Sequence, residues 1–300
     1  MLLCEAAKVL EVGLDLVGFD LRRQQSVRPA KNAERFAAHC VASASSVSSV
    51  WFDVQGDIDF MLVPRHFKHF LMSVHVLAKC PTELELEAKF NVSDHTARDW
   101  VWKFWLPRIQ NLVDKKMRWP LRWSVDENDN NAPETAFVVT VDVVHCPINE
   151  PSHGEWSKNP EFYSHKFGSS GLDYEIGISI YKNRVVWTNG PFKAGKHTDI
   201  KVFRAALKGK IPMGKLVVAD LGYRGEKLII ATPNSHDTVE AREFKSRALA
   251  RHESFNGVIK QFQCLSRRFR HGMKKHKMCF EAACVIGVYM IEDDRPLFDV

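Results

Sequence analysis

Asp142 interrupts an otherwise apolar, β-branched run from Phe137 to Val144, and Asp220 follows directly on Lys215-Leu-Val-Val-Ala219. A carboxylate within or at the end of a buried strand is costly unless it is paired, hydrogen-bonded or bound to a cation. Magnesium prefers carboxylate oxygens and keeps several waters, so a few acids meeting at neighbouring strand ends can hold it. These two positions point to a metal site, and a carboxylate held by backbone N–H groups is the structural alternative. Glu253 is one of only two acids, with Glu243, between Arg242 and Lys277. At helical spacing it shares a stripe with Asn256 and Lys260, away from Phe255, Ile259 and Phe262. From the residues alone, a salt-bridge partner on a basic helix is the better account of it. Glu240 or Glu243 would replace it under a different helical register.

The remaining acids and histidines have plainer readings. Asp199, after His197-Thr198, is expected to cap a helix start. Asp173 and Glu175 flank a strand and read as surface residues. His145-Cys146 has no partner pair at zinc-ligand spacing, which leaves a neutral histidine at a strand end.

The elements that must position these groups fall into two halves. Residues 1–60 carry little pattern, and 42–51, rich in serine, read as a loop or weak linker. Phe67, Phe70, Leu71, Val74 and Ala78 recur at helical spacing up to Pro81. Thr82-Glu-Leu-Glu85 is a capping-box pattern that opens a short helix through Phe90. After the turn Asn91-Val-Ser93 a longer helix is expected, with Ala97, Trp100, Val101 and Phe104 inward and its end near Pro107. His95, Arg98, Asp99 and Trp102 would line its outer face. Short helix, tight turn and longer helix have the form of a helix-turn-helix, a pattern many non-DNA-binding hairpins share. The acidic, Asn-rich stretch 124–134 marks the expected domain boundary. Beyond it the pattern becomes extended: a strand over 137–144, a loop over 149–171, and a hairpin of Tyr174–Tyr181 with Arg184–Thr188. Asn189-Gly-Pro191 is expected to break the chain before a helix over 199–207. Strands over 215–219 and 227–231 and a long helix from Glu240 to about Leu265 complete an α/β core with a mixed sheet.

The chain carries a net charge of +6 over 300 residues. Eleven basic residues lie between Arg242 and Lys277, so that window holds +9 and the rest holds −3. Concentrated positive charge fits a polyanionic partner, although a solvated basic helix explains it equally well. No apolar run approaches a membrane span, and Glu5 and Lys8 within the first apolar stretch argue against a signal peptide. Seven cysteines without a CxxC pair read as reduced thiols of an intracellular protein.

The segments VDVVHCPINEP, WSKNPEFYSHKFGSSGLDYEIGISIY, VVWTNGPF, VVADLGYRGEKLI and ARHESFNGVIKQFQCLSRRFRH resemble the PIF/Harbinger group of DDE transposases and their DDE-type endonuclease relatives. The resemblance runs in consistent order over about 137–298. It implies a ribonuclease-H-like mixed sheet flanked by helices over 135–300, preceded by a small all-α helix-turn-helix-like region over 61–123. It implies catalysis and metal binding by Asp142, Asp220 (in Asp220-Leu-Gly-Tyr223) and Glu253 (in Arg251-His-Glu253), with two magnesium or manganese ions. The reaction would be phosphodiester cleavage that frees a 3′-hydroxyl, with strand transfer in a transposase. His95, Arg98, Trp102, His165, Lys166, Arg251, Lys260, Arg267, Arg268 and Arg270 are the expected nucleic-acid contacts. The expected partners are DNA, a separate sequence-specific DNA-binding protein and further copies of the chain, in the nucleus and without a membrane. Gly222-Tyr223 reads as structural. Val143-Val144 departs from the small residues that relatives carry there, which narrows the pocket. Two alternatives share the same motifs: a host-adopted nuclease that cuts without transposing, and an inactive DNA-binding relic.

Overall fold

The computed structural model describes residues 6–16, 29–56, 63–123, 134–150 and 159–300, to which all structural statements refer. They form two compact units. One comprises Met1–Lys115 with Ile259–Pro296, and the other Lys116–Val258 with Leu297–Val300. Most of the expected boundary, 124–133, lies outside the described residues.

The first unit is helical: α1 (Ala6–Leu16), α2 (Pro29–Cys40), α3 (Ala44–Val54), α4 (Val63–Lys79), α5 (Glu83–Phe90), α6 (Asp94–Arg98) and α7 (Leu106–Gln110). The serine-rich stretch expected to be a loop is α3. Ser43 caps it by accepting the Ser46 N–H, and Val47, Val50, Trp51 and Val54 form its buried stripe. Four apolar residues at helical spacing outweigh the poor helix propensity of the serines between them. Trp51 packs against Phe67, Phe70 and Trp105 at ring separations of 5.0, 5.2 and 5.3 Å. The capping box forms, with Thr82 accepting the Glu85 N–H and Glu85 accepting the Thr82 N–H. Asn91 takes the left-handed conformation that ends α5.

The helix after Ser93 does not stop at Pro107. Between α6 and α7 it widens into a π-helical stretch, Asp99–Trp105, where the Leu106 N–H reaches back to Val101 O. The wider turn advances the buried face, so Trp105 is fully buried while Phe104, expected inward, is only partly so. After α8 (Val113–Lys116) the chain enters the second unit.

In that unit β1 (Phe137–Pro147) pairs antiparallel with β3 (Ser169–Ser179) and parallel with β5 (Leu216–Val218), which pairs parallel with β6 (Ile230–Ala231). The outer side of β3 pairs with β2 (Tyr163–Ser164) and β4 (Val185–Lys193). Asn189-Gly-Pro191 does not end the strand as expected. β4 runs through it with a register shift, Asp173 facing Phe192 and Glu175 facing Asn189. A bulge on an outer strand is a place where proline is tolerated. Val139, Val141, Val217, Phe203 and Tyr223 centre the core on one face of this mixed sheet, where α9 (Asp199–Ala205) packs. Ala248 of α10 (Val239–Lys260) lies with Ile180 and Val218 in a second cluster.

Two helices of the first unit close the chain order, α11 (Gln263–Ser266) and α12 (Met273–Asp293). Every residue from Ala282 to Ile291 in α12 is buried. No described helix is long and apolar enough to cross a membrane.

Candidate active site

β1, the end of β5 and α10 carry the first acids, Asp142, Asp220 and Glu253. Thr140 and Asp142 occupy alternate positions of β1. Thr140 Oγ1 lies 2.9 Å from His252 Nδ1, and Asn256 Nδ2 donates to Asp142 Oδ2 at 2.9 Å. Asp142 Oδ1 accepts the N–H of Val143 at 2.8 Å. Burial pushes the Asp142 carboxyl up to about 7, and the negative charges of Glu253, Asp220 and Asp199 push in the same direction. Glu253 itself is exposed on α10, between buried His252 and Phe255.

Asp220, exposed, leaves β5 and caps the short turn Leu221–Tyr223 by accepting the Gly222 N–H at 2.8 Å. The expected cap Asp199 does something else. Thr198 holds the N-cap position without a side-chain bond, and Asp199 is the first residue of α9. Its carboxylate lies over Gly222: a Cβ there would be 2.5 Å from Asp199 Oδ2 and 3.0 Å from Asp220 Oδ1. Gly222 therefore does more than ease a turn, because only a residue without a side chain lets these two carboxylates approach its Cα. Burial raises the Asp199 pKa, Lys166 opposes that, and Asp220 and Asp173 add to it. The sequence held a clue, since Thr198 already fills the cap role and leaves the adjacent acid unexplained.

Asp173 and Glu175, expected on the surface, are buried in β3, which has a strand on each side. Asp173 Oδ1 lies 2.8 Å from His145 Nδ1, and the Phe167 ring stacks on His145 at 4.3 Å. Glu175 accepts from Trp187 Nε1 at 2.9 Å, and burial pushes its carboxyl up to about 7. Of the loop residues expected to meet phosphate, Lys166 is exposed with its ammonium 5.3 Å from the Phe167 ring, and His165 is exposed against Tyr163.

Arg251 is a correction. It is buried, and its guanidinium donates to Ser179 O (2.6 Å), Lys182 O (2.5 Å) and Asn183 Oδ1 (3.1 Å). It cannot present a free fork to DNA while it holds the β3–β4 turn. The +9 window is diluted in other ways as well. Lys245 is buried against Asp237 at 2.8 Å, and Arg247 donates to Asp299 O at 2.7 Å. Arg242–Arg251 belong to the sheet unit and Lys260–Lys277 to the helical unit.

Within the helical unit, His95 lies 3.3 Å from Asp99, and Arg98 pairs with Glu83 (3.3 Å) and Asp94. Trp102 carries Lys275 Nζ 4.4 Å over its ring and meets His271 edge-on at 4.9 Å. Lys260 Nζ lies 3.4 Å from Leu265 O, and Arg270 donates to Cys80 O at 2.6 Å. Arg267 and Arg268 are exposed. Cys40, Cys80, Cys146, Cys264, Cys279 and Cys284 are free thiols.

Asp142, Asp199, Asp220 and Glu253 offer only carboxylate oxygens, which suit magnesium or manganese rather than zinc. Burial and, after it, the negative charges around Asp142 raise its proton affinity, and a divalent cation would relieve both. In the side-chain arrangement described, no three His, Cys, Asp or Glu residues gather closely enough to hold a metal ion. The donor chemistry fits a hard divalent cation.

No curated protein and no solved structure matches the chain. Residues 141–287 match the family model described as DDE superfamily endonuclease, which supports a DDE endonuclease domain and a function of the nuclease or transposase type.

Proposed function

We propose that the chain is a divalent-metal-dependent DNA endonuclease of the transposase type, with Asp142, Asp220 and Glu253 as its catalytic acids. The observation that carries this reading is the charge environment of Asp142. Acids from a strand end, a helix start and α10 all bear on it, inside the segment that matches the endonuclease family. The strand order β4–β3–β1–β5–β6 also supports a ribonuclease-H-like sheet, with the first acid on the central strand. A bound divalent ion, or a pair of them, would neutralise charge on the attacking and leaving oxygens of a phosphodiester. The protein's own part is orientation. The Val143 amide and Asn256 hold the two oxygens of Asp142, the Gly222 amide holds Asp220, and Gly222 keeps Asp199 close by. Lys166, exposed and electrostatically coupled to Asp199, would meet a phosphate oxygen in this reading. The PIF/Harbinger subtype, strand transfer, a DNA-reading partner, self-association and a nuclear location form the finer reading.

A second reading, an inactive DNA-binding relic, draws on the lack of a ready three-residue metal group among the described residues. Nicking of supercoiled plasmid in magnesium or manganese separates the two. The nuclease reading expects cation-dependent nicking that falls by orders of magnitude in Asp142→Asn and Glu253→Gln. Absence of nicking by the wild type with either cation, together with a melting temperature that ignores both, would leave the relic standing.

A further inference from the structure

A cleft of about 860 Å³ opens in the helical unit, lined by α2, α4, α5 and the segment from Gln263 to Arg270. It gathers Lys79, Lys89, Arg267 and Arg270, and Glu85 is the only carboxylate among its described lining residues. That carboxylate is committed to its own helix, accepting from Thr82 N (2.5 Å) and Thr82 Oγ1 (3.0 Å). Lys89, half-buried, directs its ammonium at His39 Nδ1 at 3.1 Å instead of at an acid. Burial and then the charges of Lys89 and Lys79 hold His39 down to about 4, so the imidazole there is neutral and acts as an acceptor. Among the described residues, the side chains of Lys79 and Arg267 make no ion pair or hydrogen bond.

Glu85 offsets Arg267 and Arg270 in part, but four cations against one carboxylate leave the cleft with an excess of positive charge, which a polyanion would neutralise. The described lining has no Trp, Tyr or Phe on which a base or nucleotide ring would stack, so its chemistry is that of a backbone clamp. We propose that this cleft grips the phosphates of a nucleic-acid strand and adds affinity without reading sequence. The proposal rests on DNA being the substrate, and it adds a phosphate site outside the catalytic acids.

The test uses the full chain with EDTA, so that cleavage does not intervene, and fluorescence anisotropy on duplexes of arbitrary sequence. Lys79→Gln/Arg267→Gln is compared with Lys31→Gln/Lys227→Gln, which removes the same charge at two exposed lysines outside the cleft. The cleft variant should bind every duplex more weakly, and its log–log salt slope should shrink by about two. The control should match the wild type, and excess tripolyphosphate should displace DNA from the wild type. Should the double variant melt early, Arg267→Gln alone carries the comparison, with a slope change of about one. A cleft variant that binds like the control overturns the clamp and leaves the nuclease reading intact. A wild type that binds no DNA overturns the clamp, and the nicking assay then decides the nuclease reading by itself. Tight tripolyphosphate binding by such a protein would reassign the cleft to a small polyphosphate ligand.

Discussion

Asp220 Oδ1 accepts the Gly222 amide while its negative charge bears on Asp142, and substitutions can separate the two roles. Asparagine keeps the acceptor and removes the charge, whereas alanine removes both. Asp220→Asn should therefore melt at or above the wild type without divalent ions and gain less from millimolar magnesium. Asp220→Ala should lose about 1 kcal/mol through the missing cap. Melting curves of the three proteins with and without magnesium decide this. Equal destabilisation by both substitutions would mean that Asp220 serves only the turn. Glu175, raised by burial and further by the charge of Asp199, offers a pH test. Its folded pKa, about 7, lies above the ordinary 4.5, so the folded state holds the proton more tightly than the unfolded chain. That contribution is complete below about 4.5 and is lost as pH rises through about 7. Glu175→Gln, which can still accept from Trp187, should match the wild type near pH 4. By pH 8 it should exceed the wild type by roughly 3 kcal/mol in urea unfolding. A difference that does not change with pH would sink the idea.

Among the elements, the β3–β4 turn depends on a residue of α10. Replacing Arg251 with methionine leaves Ser179 O, Lys182 O and Asn183 Oδ1 without their donor, which should cost about 2–4 kcal/mol. The salt slope of DNA binding should stay unchanged in the folded variant. A lowered slope at full stability would restore Arg251 to the DNA contacts. Arg251 also shows where sequence reading fails, because a run of basic residues does not reveal which of them are spent on carbonyls. The strands that carry Asp142 and Asp220 were legible because β-branched runs have few other uses. Helix α5 was legible because its caps are local chemistry. Burial of Asp173 and Glu175 was hidden, since it depends on β3 being central, and that is settled by strand order rather than by neighbours in the chain. Helix α12 was missed for the opposite reason: from Ala282 to Ile291 it is buried on all sides, so that half has no polar face to give it a period.

At the scale of the whole molecule, the sheet unit, Lys116–Val258 with Leu297–Val300, has its main part between two parts of the helical unit. The helices before residue 116 and the helix α12 fold as one body. Tyr289 donates to Asp53, and Ser43 and Ser46 bond Asp294. A fragment of residues 1–123, cut to isolate the helix-turn-helix-like region, should therefore lack a cooperative thermal transition in circular dichroism. A fragment that unfolds cooperatively on its own would show that α12 is dispensable to that unit. Sequence-local domain cutting is a poor guide here, because Ile259–Pro296 of the helical unit arrive only after the insertion.

Glu253, although solvent-facing, is fenced on α10 by neighbours that are tied down: Arg251 to the β3–β4 turn, His252 to Thr140 and Asn256 to Asp142. Side-chain exposure and backbone opening should then part company. In native-state deuterium exchange the amides around Glu253 should trade protons only when the whole sheet unit unfolds, while the exposed start of α10 frays freely. An exposed carboxylate would then sit on one of the slowest-opening stretches of the unit.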